Sequence, residues 1–399
     1  MPSQTPSSSN IAKLYAFQAA NGAMLFFPIE VLFYQSQNLG LRDIFLLQTV
    51  FALTIAAWQI PSGYFSDRYG RRPTLMISAC SRFLCVLSFC VSSNLAGLVI
   101  ANLFFATSAS FSSGTVEALT YETLTSDGLA GRFRKTMGAV SASFFAAEAL
   151  SAILGGWVAV SFGLRAPFWI SLLPVTVAIF SAFSLEEPGR HEATQLLTIK
   201  TMLKACKETV LGNPAVRGII LLDNVLSVLC LSIFWFSQPF EAGVGLPLAL
   251  FGIAHALTIV GHATASRFAH TLEHRIPDQT FYVLIAILIV GSYLMLGALH
   301  SLIGILFIVL VRTAWGALTP VTNDLLSRLS PSSVRATILS IRGMTFQMLF
   351  ALVPPFFGAI ADAHSLSTAL FTAGAVGGVA ALGLLFMMKE SWGKIPVTI

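Results

Sequence analysis

Twelve apolar runs divide this sequence, and each approaches the roughly 20 residues that a helix needs to cross the hydrocarbon of a bilayer. Read between polar breaks, they fall at 12–35, 43–64, 74–93, 97–119, 137–160, 166–184, 217–240, 247–268, 280–299, 301–322, 335–360 and 366–388. Little remains between them from which to build a soluble domain. Charged residues make up 10% of the 399 positions, against about 25% in an ordinary soluble domain, and a water-facing surface needs more polar groups than that. The same composition excludes a disordered chain. The expected architecture is an all-α membrane protein, its runs forming spans 1 to 12.

Basic residues favour the cytoplasmic side of a membrane. With the N-terminus placed there, eighteen Lys and Arg lie in cytoplasmic connections or adjoining helix ends, and only Arg42 and Arg165 lie outside. Both termini are therefore expected in the cytoplasm, in a protein of the plasma (cell inner) membrane. The net charge of +5 does not point to nucleic acid, because phosphate-binding residues cluster on one face and these are scattered. Cys80, Cys85, Cys90 and Cys230 fall in apolar runs and Cys206 in a polar stretch, which gives neither a disulfide framework nor metal-ligand spacing. The polar N-terminal segment lacks the sections of a cleaved leader, so span 1 is expected to be retained.

The longest polar stretch, 185–216, is mixed in charge and reads as a cytoplasmic linker between an N-terminal six-helix bundle, 1–184, and a C-terminal one, 217–399. The halves echo each other. Arg134-Lys135-Thr136 before span 5 matches Arg335-Ala336-Thr337 before span 11, and about twenty residues on Gly156 and Ala159 match Gly358 and Ala361. Repeated bundles of this kind build many secondary transporters.

Between spans 2 and 3 stands Gly63-Tyr64-Phe65-Ser66-Asp67-Arg68-Tyr69-Gly70-Arg71-Arg72. It resembles the G-x-x-x-D-R-x-G-R-R/K signature of the major facilitator superfamily, at the position where that family carries it. Gly63 permits close helix approach, Gly70 a tight turn, and Arg71 and Arg72 hold the loop on the cytoplasmic side. The resemblance implies twelve spans in two bundles, alternating access, and a latch in which Asp67 accepts hydrogen bonds from the N-terminal end of a facing helix. Two features depart from the family's drug and proton antiporters. Span 4 holds no arginine, and where they end span 5 with Gly-Pro-x-x-Gly-Gly this chain has Ser151-Ala152-Ile153-Leu154-Gly155-Gly156. The loop between spans 8 and 9 is degenerate, with His270 near where an Asp would sit.

An ionisable side chain at the bilayer centre costs about 2.5–3.5 kcal/mol on insertion scales, so it faces a cavity or a partner. Glu148 on span 5 and Arg312 on span 10 lie near mid-depth, and His255 and His262 on span 8 bracket it. The family places span 5 beside span 8, which implies that Glu148 faces His255 or His262. Such a carboxylate and imidazole can load and release a proton; a hydrogen-bonded structural Glu is the alternative. The family lines its cavity with spans 1, 4, 7 and 10. Arg312, Trp315, Trp235, Gln18 and Asn21 are accordingly the candidate substrate contacts, Arg312 by gripping an anionic group or, alternatively, by neutralising Asp223. Glu117, Asp223 and Arg342 are candidates for a cytoplasmic gate, or for ordinary helix-end pairing. Arg82 on span 3 is expected to pack against Glu30 or polar groups of neighbouring spans.

These residues describe a secondary transporter that moves a small organic molecule by proton-coupled efflux, a drug or a metabolite such as a carboxylate-rich chelator. Proton-coupled uptake of an organic anion or another small solute is the alternative; a membrane-embedded enzyme or a transporter-like receptor is remote. The absence of a P-loop argues against ATP driving, and the chain is read as no enzyme because neither a H-E-x-x-H motif nor a carboxylate cluster accompanies its histidines. No cofactor or metal is expected. The partners are substrate, protons and the lipid bilayer, with no nucleic acid, and the working unit is a monomer. The topology has a direct test in Cys206, inside the linker. A membrane-impermeant maleimide should label it only after cells are permeabilised; labelling in intact cells would invert the orientation.

Overall fold

A computed structural model describes residues 7–187, 210, 212–273, 275–331 and 334–392. Of the expected linker, 188–209 and 211 lie outside the described residues, as does the side chain of His270. Among the described residues, twelve helical segments are long and apolar enough to cross a membrane: Ser9–Ser36, Leu41–Tyr69, Arg71–Val91, Leu95–Ser126, Ala130–Phe162, Ala166–Ser184, Pro214–Gly243, Leu248–Ala269, Asp278–Ala298, Gly304–Arg328, Thr337–Ala363 and Leu366–Met387. They match spans 1 to 12 in order. Many run further at their polar ends than the apolar runs do, because a helix continues for as long as its amides find partners, whatever the side chains.

Three spans are interrupted. Span 1 leaves the helix after Gly22, makes a 3-10 turn at Phe27–Ile29 around Pro28, and resumes at Glu30–Ser36. Span 4 breaks at Ser113 and Gly114, the latter with φ 73°, a conformation that glycine adopts without strain. Span 11 breaks before Pro354, whose ring cannot continue the preceding helix.

The chain forms two compact units. The first gathers Met1–Asn38, Leu47–Thr194 and Pro247–Ala256. Within it span 3 packs on spans 4 and 6, and span 1 on spans 5 and 6. Its core includes Leu14, Phe17, Leu75, Ala79, Leu119, Val140 and Ala178. The second gathers Leu39–Leu46, Gln195–Leu246 and Leu257–Ile399. In it span 9 packs on spans 10 and 12, and span 7 on spans 11 and 12. Each of these pairings is one from the first unit advanced by six spans, which is the packing counterpart of the repeat read in the sequence.

Glycines set the closest approaches. In the first unit a Cβ at Gly155 would overlap the Leu25 carbonyl, and one at Gly252 the Ala152 carbonyl. In the second, Asp362 accepts hydrogen bonds from the amides of Leu41 and Arg42, each at 2.8 Å, in space that a Cβ at Gly40 would fill. Gly291, on span 9, has nothing within 4 Å of its would-be Cβ. Gly252→Val should therefore lower stability in detergent by about 1–3 kcal/mol, and Gly291→Val by much less. Equal melting temperatures for the two variants would count against the packing described.

Candidate functional site

The first unit holds the expected acid–imidazole pair. Spans 5 and 8 touch where Gly252 meets the Ala152 backbone and Gly156 meets that of Ala249. One turn from these contacts, Glu148 Oε1 lies 3.5 Å from His255 Nε2, with only 11% and 8% of the two side chains exposed. Small residues bring the backbones together, and the two functional groups meet because they sit next to those residues. The Phe27 ring, at the start of the 3-10 turn in span 1, lies 6.4 Å from the His255 ring. Asn21 is buried in the last turn before the break; its Nδ2 donates to the Phe17 carbonyl at 3.0 Å. Its Oδ1 has no partner among the described residues, so a polar acceptor is left at the break. Gln18 is half-buried on the same helix.

The second unit separates His262 from that pair. Gly316 on span 10 lies against the His262 backbone, and His262 Nδ1 stands 3.3 Å from the Arg312 carbonyl. Its ring meets Trp315 edge-on at 5.6 Å, and the Arg312 guanidinium covers the Trp315 ring at 4.9 Å. Arg312, Trp315 and His262 therefore form one cluster. Trp235 is buried on span 7, edge-to-face with Phe234 at 4.8 Å.

Arg312 is not the partner of Asp223. That fully buried carboxylate takes Arg342, with Nε at 2.6 Å and Nη2 at 3.1 Å, and the Thr322 hydroxyl at 2.9 Å. Arg342 also donates to Asn323 Oδ1 at 2.6 Å, and Tyr282 extends the network through Thr322 at 2.7 Å. A two-point arginine contact with further hydrogen bonds is the arrangement that makes a buried charge pair tolerable. Glu117 is exposed in the first unit, just past the break in span 4.

The signature loop is a knot of charges in the first unit. Asp67 pairs with Arg71 at 2.7 Å rather than with a facing helix terminus. Arg71 also bonds Glu122 at 3.0 Å and Ser66 at 2.8 Å. Glu187 accepts from the amides of Arg71 and Arg72 at 2.6 and 2.8 Å, in the space that Gly70, with φ 109°, leaves open. Arg72 reaches the Phe183 carbonyl at 2.7 Å, and Arg68 bonds the Tyr64 hydroxyl at 2.9 Å.

Four acidic residues at notable positions escaped the sequence reading. Glu122, Glu187, Asp362 and the buried Glu241 each stand just past the end at which an apolar run was cut. Helix continuation beyond the apolar window was the available signal.

The model of the Major Facilitator Superfamily matches residues 14–348. The uncharacterized MFS-type transporter YxaM of Bacillus subtilis (strain 168) is 24% identical over 374 residues, covering 91% of this chain and 92% of YxaM. The inner membrane transport protein YajR of Escherichia coli (strain K12) is 23% identical over 352 residues, covering 86% of this chain and 74% of YajR. Among solved structures, the nucleoside transporter NupG superposes with a TM-score of 0.80 at 10% identity, covering 95% of this chain and 98% of that one. That likeness shows the fold. A signature at the family's position, twelve spans and a family match over most of the length agree: the chain belongs to the major facilitator superfamily.

Proposed function

We propose that this protein is a secondary active transporter that extrudes a small organic molecule in exchange for protons, by alternating access of two six-helix bundles, 1–184 and 217–399, joined by the linker 185–216. The observation that carries the proton role is the buried contact between Glu148 and His255. A carboxylate and an imidazole that share a dry site can hold one proton between them, as an ion pair or as a neutral pair, and by giving it off become a carboxylate beside a neutral imidazole. The loaded pair carries no net charge, so the proton can be held while access changes, and its release leaves the carboxylate charged.

Arg312 and Trp315 form the substrate contact of the second unit, a cation above an aromatic wall, and His262 fixes both. This assigns His262 to substrate positioning rather than to proton transfer. Trp235, Gln18 and Asn21 line the path. A drug, or a metabolite such as a carboxylate-rich chelator, suits a cationic group flanked by rings. The Asp223–Arg342 network and Glu117 regulate cytoplasmic opening, the signature loop from Gly63 to Arg72 carries the latch, and the protein works as a monomer in the plasma membrane with its termini in the cytoplasm.

Proteoliposomes with an imposed pH gradient test the reading. Wild-type protein should move solute against its gradient when protons run the other way; movement that ignores the pH gradient would remove the proton role, and co-directional movement would make the protein an importer. Glu148→Gln should keep substrate counterflow while losing the response to pH. Arg312→Ala should raise KM for an anionic substrate by about ten- to hundredfold, the worth of a charge-assisted hydrogen bond, with little effect on a neutral one.

A further inference from the structure

The interior of the first unit holds a second set of polar groups that the Glu148–His255 pair does not use. Glu30, on the resumed helix of span 1, is 1% exposed, and its Oε1 accepts the Tyr34 hydroxyl at 2.8 Å. Arg82, in the middle of span 3, is 8% exposed. The two charges act on each other electrostatically, yet among the described residues the guanidinium makes neither a contact ion pair nor a hydrogen bond, and its Nε is buried without an acceptor. What it touches is a ring: its centre stands 4.3 Å from the centroid of Phe105 on span 4.

Arginine keeps its charge at any pH a cell meets. A buried cation that no anion touches is therefore costly in a membrane-spanning helix, and an aromatic face together with the more distant charge of Glu30 offsets that cost only in part. The surroundings continue the ring contact. Phe105 lies 5.1 Å from Phe51 and 6.3 Å, stacked, from Phe27. Phe27 in turn adjoins His255 at 6.4 Å. All three phenylalanines are only half-buried, so each keeps surface against which something can lie. A cation whose edge makes no hydrogen bond, a shelf of three rings and the acid–imidazole pair thus follow one another within the first unit.

We propose that Arg82 is the anion-binding residue of a substrate subsite, and that the ligand is an organic acid with one carboxylate and a flat, aromatic body. The carboxylate takes the guanidinium edge, while the body lies along Phe105, Phe51 and Phe27. A single carboxylate fits best, since the acidic Glu148 at the far end of the shelf disfavours a second negative charge. The assignment rests on the transporter reading given above and deepens it by naming a substrate class, an aromatic monocarboxylate in place of a carboxylate-rich metabolite.

The test is equilibrium binding to the full-length protein purified in detergent, with tritiated 1-naphthoate as probe and 1-naphthamide, its uncharged isostere, as competitor. Neither probe needs a pH gradient, so the outcome is independent of proton coupling. Wild type should prefer naphthoate by about ten- to hundredfold. Arg82→Gln should abolish that preference without lowering the melting temperature, because it breaks no hydrogen bond and no contact ion pair. Arg82→Lys, which keeps the charge but not the planar fork, should weaken naphthoate about tenfold. Phe105→Leu should weaken both probes. Three results would overturn the subsite: naphthoate affinity unchanged in Arg82→Gln, equal affinity of wild type for acid and amide, or no binding of either. A fall in the melting temperature of Arg82→Gln with naphthoate preference retained would return Arg82 to a structural role. Loss of pH-driven transport with this binding pattern intact would instead strike the proton reading alone.

Discussion

Hydrocarbon offers no partner for a peptide group, so a backbone inside it can leave the helix only where another segment takes up the groups that are freed. The break in span 1 meets that condition. The Leu25 amide donates to Ser171 Oγ of span 6 at 3.0 Å, and Gly155 of span 5 lets the Leu25 carbonyl come close where any side chain would collide. With those partners in place, the chain can unwind between Gly22 and Phe27. The unwinding leaves Asn21 with a spare acceptor, turns Phe27 toward His255 and starts a new helix at Glu30. Much of the polar interior of the first unit is arranged by that one departure from the helix.

Acids and bases in the spans are accommodated by different means. Each buried acid that has a described partner meets a polar donor: Glu148 an imidazole, Glu30 a phenol, Asp223 a guanidinium and a hydroxyl. Arg312 and Arg82 instead lie over rings. A guanidinium is flat and weakly hydrated, and so it stacks where an ammonium would not. Rings hold such a cation without using up its edge, and the edge is the part that recognises a carboxylate.

The span count, the signature loop and the repeat were legible because each rests on short-range pattern: apolar length, a ten-residue motif, spacing before a helix. The breaks in spans 1, 4 and 11 were not, although Pro28, Gly114 and Pro354 mark them. A proline or glycine in an apolar run says that a break is possible, and only the neighbouring span decides whether the freed groups are met. The same limit applied to the histidines. His255 and His262 are seven residues apart and share a face, so periodicity could not choose between them as the partner of Glu148. The choice follows from glycines: Gly252 brings one end of span 8 to Ala152, and Gly316 receives the other at His262. Asp223 went to Arg342 rather than Arg312 for a related reason, since estimated depth constrains height along a span but not direction around it.

The charge knot at Gly70 bears on where this chain can be cut. Glu186 exchanges two hydrogen bonds with Asn10, both at 3.0 Å, and reaches Lys13 at 3.2 Å, while Glu187 secures the start of span 3. These residues fall on the linker side of a boundary drawn at 184, yet they close the end of the first unit. A split transporter made for co-expression, or a fluorescent protein inserted between the halves, would keep the first half whole only if the junction came after Glu187. Moved three residues earlier, the cut would expose two helix-start amides and release the very loop by which the family is recognised.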